Sequence, residues 1–297
     1  MTATILDGKQ LASEIRKELS TQISSLPNEH IPTLAVILVG DNEASKIYVR
    51  NKKKAAAEIG MECEVIELAS SIGENALLEV IHELNDSPHI NGIIVQLPLP
   101  QHINPSNILS AISPNKDVDG FNPYNAGLLA CKEDSAIISA TPKGILRLLK
   151  HSGVELSGKH AVIIGRSNIV GRPVAMLLLN QDCTVTITHS QTQNLPDIVK
   201  QADIVVAACG CPNLVKKSWI KNGAIVIDVG INRIDGKLCG DVDFNEVSPI
   251  ASYITPVPGG VGPMTVAMLL ENTFEATQKQ QSSPQHHCEC RHCHPHQ

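Results

Sequence analysis

The chain has 297 residues, 42% apolar and 18% charged, and its 24 basic against 30 acidic side chains leave a net charge of -6. That describes an ordinary globular protein long enough for about two domains with their own cores, while twenty Gly and eighteen Pro exclude collagen-like and low-complexity chains. One Trp, three Tyr and three Phe on an acidic chain argue against a single-stranded nucleic-acid binder; no apolar run approaches the roughly 20 residues of a membrane span, and MTATILDGK does not read as an export signal, so neither nucleic acid nor membrane is an expected partner and the expected compartment is the cytosol.

Leu11, Ile15, Leu19 and Ile23 recur every four residues behind Asp7, which predicts a capped helix that Pro27 stops. LAVILVG (34–40) reads as a buried strand, followed by a helix over about 43–59, strand CEVIEL (63–68), and a helix opened by a capping box from Ser71 to Glu74. GIIVQL (92–97) is a third buried strand. After one more short helix, PNKDVDGFNPYNAG (114–127) reads as a polar loop and a domain junction. The second half repeats the alternation with helix 141–150, strand 160–165, helix 171–180, and strands 184–190, 203–209 and 224–230. The Gly/Pro-dense turn TPVPGGVGP (255–263) then leads into a helix over about 263–278, and everything beyond reads as disordered. The fold class is α/β, with a doubly wound parallel sheet in the second half.

Several residues at strand ends can carry chemistry. VIIGRSNIVGRP (162–173) places Gly165 and Gly171 around a loop that opens a helix, a site for a pyrophosphate on backbone N–H groups. It departs from GxGxxG, so by itself an ordinary strand-to-helix turn is an equal reading. The next strand ends in Thr188-His189-Ser190-Gln191 without the acid that selects NAD, and Arg166 offers a fork for a 2'-phosphate, which favours NADP. Tyr48 and Lys52 share one face of the helix over 43–59, where a solvated basic helix is the bland alternative. Gln96 and Asp119, singly a strand end and a turn carboxylate, complete a set of polar groups at successive strand ends.

Taken together, YVRNKKKAAAEIG, GIIVQLPLP, KDVDGF, TPKG, GRSNIVGRP and ITPVPGGVGPMTVAMLL resemble the bifunctional methylenetetrahydrofolate dehydrogenase/cyclohydrolase family over about residues 3–278. The resemblance implies an NADP-dependent oxidation of 5,10-methylenetetrahydrofolate to the methenyl cation and hydrolysis of that cation to 10-formyltetrahydrofolate, in one-carbon metabolism serving purine biosynthesis. It implies Lys52 as the catalytic lysine, Gln96 as its partner, Tyr48 over the folate ring, Asp119 on the pterin, and Pro258, Gly259 and Gly260 where folate and nicotinamide meet. It further implies Gly165, Arg166, Ser167, Gly171, Ser190 and Ile231 around NADP, and a homodimer joined through the nucleotide-binding domain. The implied domains are 1–138 plus 263–280 for folate, with the last helix returning to it, and 139–262 for NADP, leaving 281–297 as a tail. Alternatives are a dehydrogenase without cyclohydrolase activity and a non-enzymatic nucleotide- or metal-binding protein. Family members often carry Cys before TPKG and a basic residue after His-Ser, where this chain has Ala140 and Gln191.

The remaining signal is HHCECRHCHPHQ. Cys288, Cys290 and Cys293 with their flanking His can bind zinc or another soft metal, although CxCxxC is not a closed zinc spacing. The competing expectation is a tail that chelates incidentally, with no metal in the fold itself.

Overall fold

The computed structural model describes residues 2–282. Two α/β domains are each built on a parallel sheet. The chain opens with strand β1 (Thr4–Ile5) and helix α1 (Gly8–Ser24), whose first turn is capped by Asp7 Oδ1 accepting the Gln10 N–H at 3.0 Å. Strand β2 (Thr33–Val39), helix α2 (Glu43–Glu58), strand β3 (Glu62–Leu68), helix α3 (Glu74–Asp86) and strand β4 (Gly92–Val95) follow. Strands β3, β2 and β4 form one sheet in that order, with β2 central and buried along its whole length. The alternation of its side chains divides the core: Leu34, Val36 and Leu38 pack with Ala12, Ile15 and Ala56, while Ala35, Ile37 and Val39 pack with Leu77, Ile81 and Ile108. Both faces are covered by helices, which is why the strand sequence is apolar throughout rather than alternating.

Two short helices, α4 (Pro105–Ala111) and α5 (Pro123–Ala130), precede α6 (Ala140–His151). The second domain then runs β5 (His160–Ile164), α7 (Gly171–Leu179), β6 (Thr184–Thr188), α8 (Leu195–Val199), β7 (Ile204–Ala207) and β8 (Ile225–Asp228). A small hairpin, β9 (Asn232–Ile234) and β10 (Lys237–Cys239), helix α9 (Phe244–Val247) and strand β11 (Tyr253–Ile254) lead to the long helix α10 (Val261–Ser282). The six-stranded sheet has the order β1-β11-β8-β7-β5-β6 with every pair parallel. The order reverses at β5, whose neighbours β6 and β7 lie on opposite sides, and this leaves a crevice at the carboxyl ends of β5 and β7. Helix α10 returns to the first domain, where Asn272 Nδ2 donates to the carbonyls of Val118 and Ile138 at 2.9 and 2.8 Å. Lys143 on α6 meets Glu271 and Glu275 of α10 at 2.9 and 2.8 Å, so the two helices clamp the domains together.

Four expectations are corrected. The Ser71–Glu74 capping box does not form: α3 starts at Glu74 behind Gly73, and the Glu74 carboxylate instead accepts the Asn104 N–H and the Asn107 amide, both at 2.7 Å. The loop expected over 114–127 is helical from Pro123, where Asn122 Oδ1 caps the first turn through the Tyr124 N–H at 2.8 Å. The third strand stops at Val95 rather than 97. The last helix begins at Val261 and runs to Ser282, past the expected onset of disorder; Cys288, Cys290 and Cys293 lie outside the described residues. The two-residue strands β1 and β11 and the β9–β10 hairpin are too short to leave a periodic signal. Thr4 and Ile5, ahead of the first domain's helices, pair with Tyr253 and Ile254 in the six-stranded sheet.

Candidate active site

Helix α2 starts four residues after β2, where Asn42 Oδ1 accepts the Ser45 N–H at 3.0 Å. Val49, Ala55 and Ala56 are buried, and Lys52, three to four residues from each of them, lies on the same side of the helix with Tyr48 at its edge, where the buried face opens to the cleft. Tyr48 is half exposed. Lys52 reaches across to the end of the neighbouring β4, and its Nζ donates to Gln96 Oε1 at 3.1 Å. Gln96 is itself anchored, its backbone N–H donating to the Ile37 carbonyl at 2.9 Å and its Nε2 to the Leu97 carbonyl at 2.8 Å. That second bond turns the amide oxygen toward the lysine.

Asp119 arrives on a loop whose neighbours fix it from both sides. Lys116 Nζ donates to the carbonyls of Leu84, Asn85 and Ser87 at 3.0, 2.7 and 2.7 Å, tying the loop to the end of α3. Asp117 accepts the N–H groups of Phe121 and Asn122 at 3.2 and 2.8 Å and the Asn125 amide at 3.0 Å, tying it to the start of α5. Burial pushes the Asp117 carboxyl up to about 7 despite these donors. Asp119, two residues past Asp117, stays partly accessible; burial raises its pKa and the nearby Lys52 charge opposes that rise.

In the second domain the glycine loop follows β5. The Gly165 N–H donates to the Thr188 carbonyl at 2.9 Å, which brings Arg166 and Ser190, both exposed, to adjoining strand ends. Gly165 has φ +121, and a Cβ there would overlap the Ala208 carbonyl oxygen; a Cβ on Gly171 would overlap the Gly165 carbonyl oxygen. The loop is therefore a tightly packed cradle of backbone ahead of α7. Ser167 already has a structural task, since its Oγ accepts the Val170 and Gly171 N–H groups at 3.1 and 3.3 Å and so closes the start of α7. Gln191 follows Ser190 in a turn held by the His189 N–H on Thr192 Oγ1 at 2.9 Å.

Ile231, Pro258, Gly259 and Gly260 share one cavity of about 150 Å³ beyond β8 and β11. The Lys9 N–H donates to the Gly259 carbonyl at 3.0 Å, so the Pro/Gly turn is stitched to α1 of the other domain. The structure thus brings the expected residues together in three groups: Lys52, Gln96 and Asp119; Gly165, Arg166, Ser167, Gly171 and Ser190; and Ile231 with the Pro258 turn. Two buried carboxylates escaped the sequence reading. Asp228 accepts the N–H groups of Gly230, Asp241 and Val242 at 3.0, 2.9 and 3.0 Å, and burial pushes it up to about 6. Asp241 accepts those of Cys209 and Gly210 at 2.8 and 2.9 Å. The signal available was an acid at the end of AIVID and inside GDVD, positions that an apolar strand end leaves to a satisfied carboxylate. Burial and Asp241 push the Cys209 thiol up to about 12, which keeps it protonated. Among the described residues no group of three or more His, Cys, Asp and Glu is arranged to hold a metal, and no helix is long and apolar enough to cross a membrane.

Residues 6–119 match the family described as tetrahydrofolate dehydrogenase/cyclohydrolase, catalytic domain, and residues 139–281 match its NAD(P)-binding domain. The bifunctional protein FolD of Listeria innocua is 54% identical over 277 residues, covering 93% of this chain and 97% of that protein. The crystal structure of the bifunctional FolD methylenetetrahydrofolate dehydrogenase/cyclohydrolase from Campylobacter jejuni is 50% identical, with a TM-score of 0.92 over 93% of this chain and 99% of that one. The Trypanosoma brucei enzyme, complexed with NADP cofactor and an inhibitor, is 42% identical, with a TM-score of 0.90 over 95% and 100% of the two chains.

Proposed function

The chain belongs to the tetrahydrofolate dehydrogenase/cyclohydrolase family, and from that premise we propose that it oxidises 5,10-methylenetetrahydrofolate to the 5,10-methenyl cation with NADP and hydrolyses the cation to 10-formyltetrahydrofolate. The observation that carries the reading is the Lys52–Gln96 hydrogen bond at the carboxyl ends of β4 and its neighbour β2, with Asp119 close enough to feel the lysine charge. The turn around Gly165 and Gly171 suits a dinucleotide, because its two glycines let it pack backbone to backbone against Ala208 just ahead of the N-terminus of α7, where a phosphate can be held. NADP, when bound, supplies the hydride acceptor.

The protein's own residues supply the rest. Asp119 accepts the donor N–H groups of the pterin, and Tyr48 packs on the folate ring, so the one-carbon unit is held between α2 and the Pro258 turn. The first step needs positioning more than acid or base, since the carbon is activated by two nitrogens. In the second, water adds to the methenyl carbon and gives up one proton; the five-membered ring then opens by breaking the bond to N5, which takes up a proton as the added hydroxyl loses its own, leaving the formyl group on N10. Lys52, as the neutral amine, receives the water's first proton, and Gln96 aims that amine without adding charge. Arg166, Ser167 and Ser190 would hold the cofactor phosphates, with Arg166 supplying a fork for the 2'-phosphate, and Ile231 would line the cofactor's site.

The product is a one-carbon donor of the kind purine biosynthesis consumes, and the setting is cytoplasmic. The active form is a homodimer through the six-stranded sheet, a reading supported by the edge position of β6 among the described strands and by exposed Ile187 and Leu179. Light scattering distinguishes dimer from monomer. The activity is tested by mixing the full chain with methylenetetrahydrofolate and NADP or NAD and following methenyl absorbance. Formation with NADP followed by decay is expected. Formation without decay would indicate a dehydrogenase alone, and no formation with either cofactor would overturn the assignment.

A further inference from the structure

The carboxyl ends of β7 and β8 are not held by ordinary turn chemistry. Asp241 is fully buried, and one of its oxygens, Oδ2, accepts the backbone N–H groups of both Cys209 and Gly210 at 2.8 and 2.9 Å, directly after the Ala208 carbonyl against which Gly165 is packed. Its other oxygen, Oδ1, accepts Asn232 Nδ2 at 2.8 Å at the start of the β9–β10 hairpin. Asp228 backs this arrangement by accepting the Asp241 N–H at 2.9 Å and the Gly230 N–H at 3.0 Å, next to Ile231. Its own N–H donates to Thr255 Oγ1 at 2.7 Å, which leads into the Pro258 turn. The fit is tight: a Cβ on Gly230 or Gly240 would overlap the Asp241 or Asp228 carboxylate respectively. Two side chains therefore connect the floor of the glycine cradle, the hairpin and the Pro/Gly turn.

We infer that Asp241, backed by Asp228, is a positioning residue for cofactor binding, holding Cys209 and Gly210 against the Gly165 cradle and Asn232 beside the Ile231 cavity. The inference rests on the NADP reading above and goes beyond it in naming what shapes the crevice. Asp241 acts through the backbone it holds and does not itself contact the cofactor. It stands at the end of the six-stranded sheet, whereas the Lys52–Gln96 pair stands at the end of the three-stranded sheet, so the hydrolysis step serves as an internal control.

The test measures, on the full chain, NADP affinity by calorimetric titration, the KM for NADP in methylene oxidation, and methenyl hydrolysis without NADP. For Asp241→Ala, Kd and KM for NADP rise about tenfold or more, since two backbone donors are left unpaired, while hydrolysis stays within about twofold. Asp241→Asn restores NADP affinity to within about threefold of wild type, because one amide oxygen can serve both N–H groups and Asn232 can turn its own amide to match. If Asp241→Ala does not fold, Asn232→Ala carries the test, with a rise of about threefold in KM for NADP and unchanged hydrolysis. Unchanged NADP affinity in a folded Asp241→Ala protein, or a parallel fall of both activities, would overturn the inference; so would an unchanged KM in Asn232→Ala when that variant has to decide. Wild type that binds no NADP would instead defeat the cofactor reading, and this inference with it.

Discussion

At the carboxyl ends of the three-stranded sheet the chemistry is presented by side chains: Lys52 reaches Gln96 at 3.1 Å, and Asp119 stands on a loop tied down by Lys116 and Asp117. At the ends of the six-stranded sheet it is presented by backbone, with Gly165 and Gly171 approached too closely for any Cβ and the neighbouring loops held by buried Asp241 and Asp228. The first region depends on which functional group stands at a position. The second depends on the absence of side chains and on carboxylates that are spent on backbone N–H groups. A substitution on the folate side should therefore change chemistry with the fold intact, and one on the cofactor side should change shape with the chemistry intact.

Four measurements sharpen this contrast. Lys52→Met removes the proton acceptor and should lower methenyl hydrolysis by about 10²- to 10⁴-fold while NADP titrates as in wild type; weakened NADP binding would blur the division. Asp119→Ala should raise the KM for methylenetetrahydrofolate about ten- to a hundredfold, the range for hydrogen bonds to a charged group, and a change confined to the KM for NADP would place that loop on the wrong side. Tyr48→Ala, which removes a half-exposed ring, should cost about two- to tenfold in folate affinity, checked by inhibition with a folate analogue.

The smallest effect concerns stability. Asp117 and Asp228 are raised to about 7 and about 6, so between about pH 4 and 7 the folded chain holds protons that the unfolded chain has released. The stability tied to these groups is complete below about pH 4 and is lost as pH rises through 6 and 7. Carboxylates with lowered pKa, Glu74, Asp203 and Asp243, add stability that is lost only on acidification below the ordinary carboxylate range. The thermal midpoint should be higher near about pH 5 than near about pH 8, and the reverse order would contradict the burial argument for Asp117 and Asp228.

The same contrast governs what could be read from sequence. Runs such as LAVILVG and GIIVQL are apolar because helices cover both faces of the sheet, so the long parallel strands and their order of alternation were legible. Lys52, Gln96 and Asp119 were legible as reactive types at strand ends. Asp241 and Asp228 were not, because their value lies in accepting N–H groups from residues up to 32 positions away, as in the Cys209 contact. The Ser71–Glu74 box failed for a related reason: Glu74 is spent on Asn104 and Asn107, 30 and 33 residues on, and a local pattern cannot register a distant competitor. Ser167, expected at the ligand, accepts the Val170 and Gly171 N–H groups just ahead of α7, a task its hydroxyl can share with a phosphate because it accepts there and still has a proton to donate.

The central claim is that the two regions are separable, and Gly165→Val tests it most directly. At φ +121 and against the Ala208 carbonyl, the added side chain must push the cradle open. With both activities measured on one folded preparation, NADP-dependent oxidation should fall about a hundredfold or more, the cost of misplacing a reacting partner by about an ångström, while methenyl hydrolysis stays within about threefold of wild type. Equal loss of both activities in a protein with an unchanged circular dichroism spectrum would contradict the account.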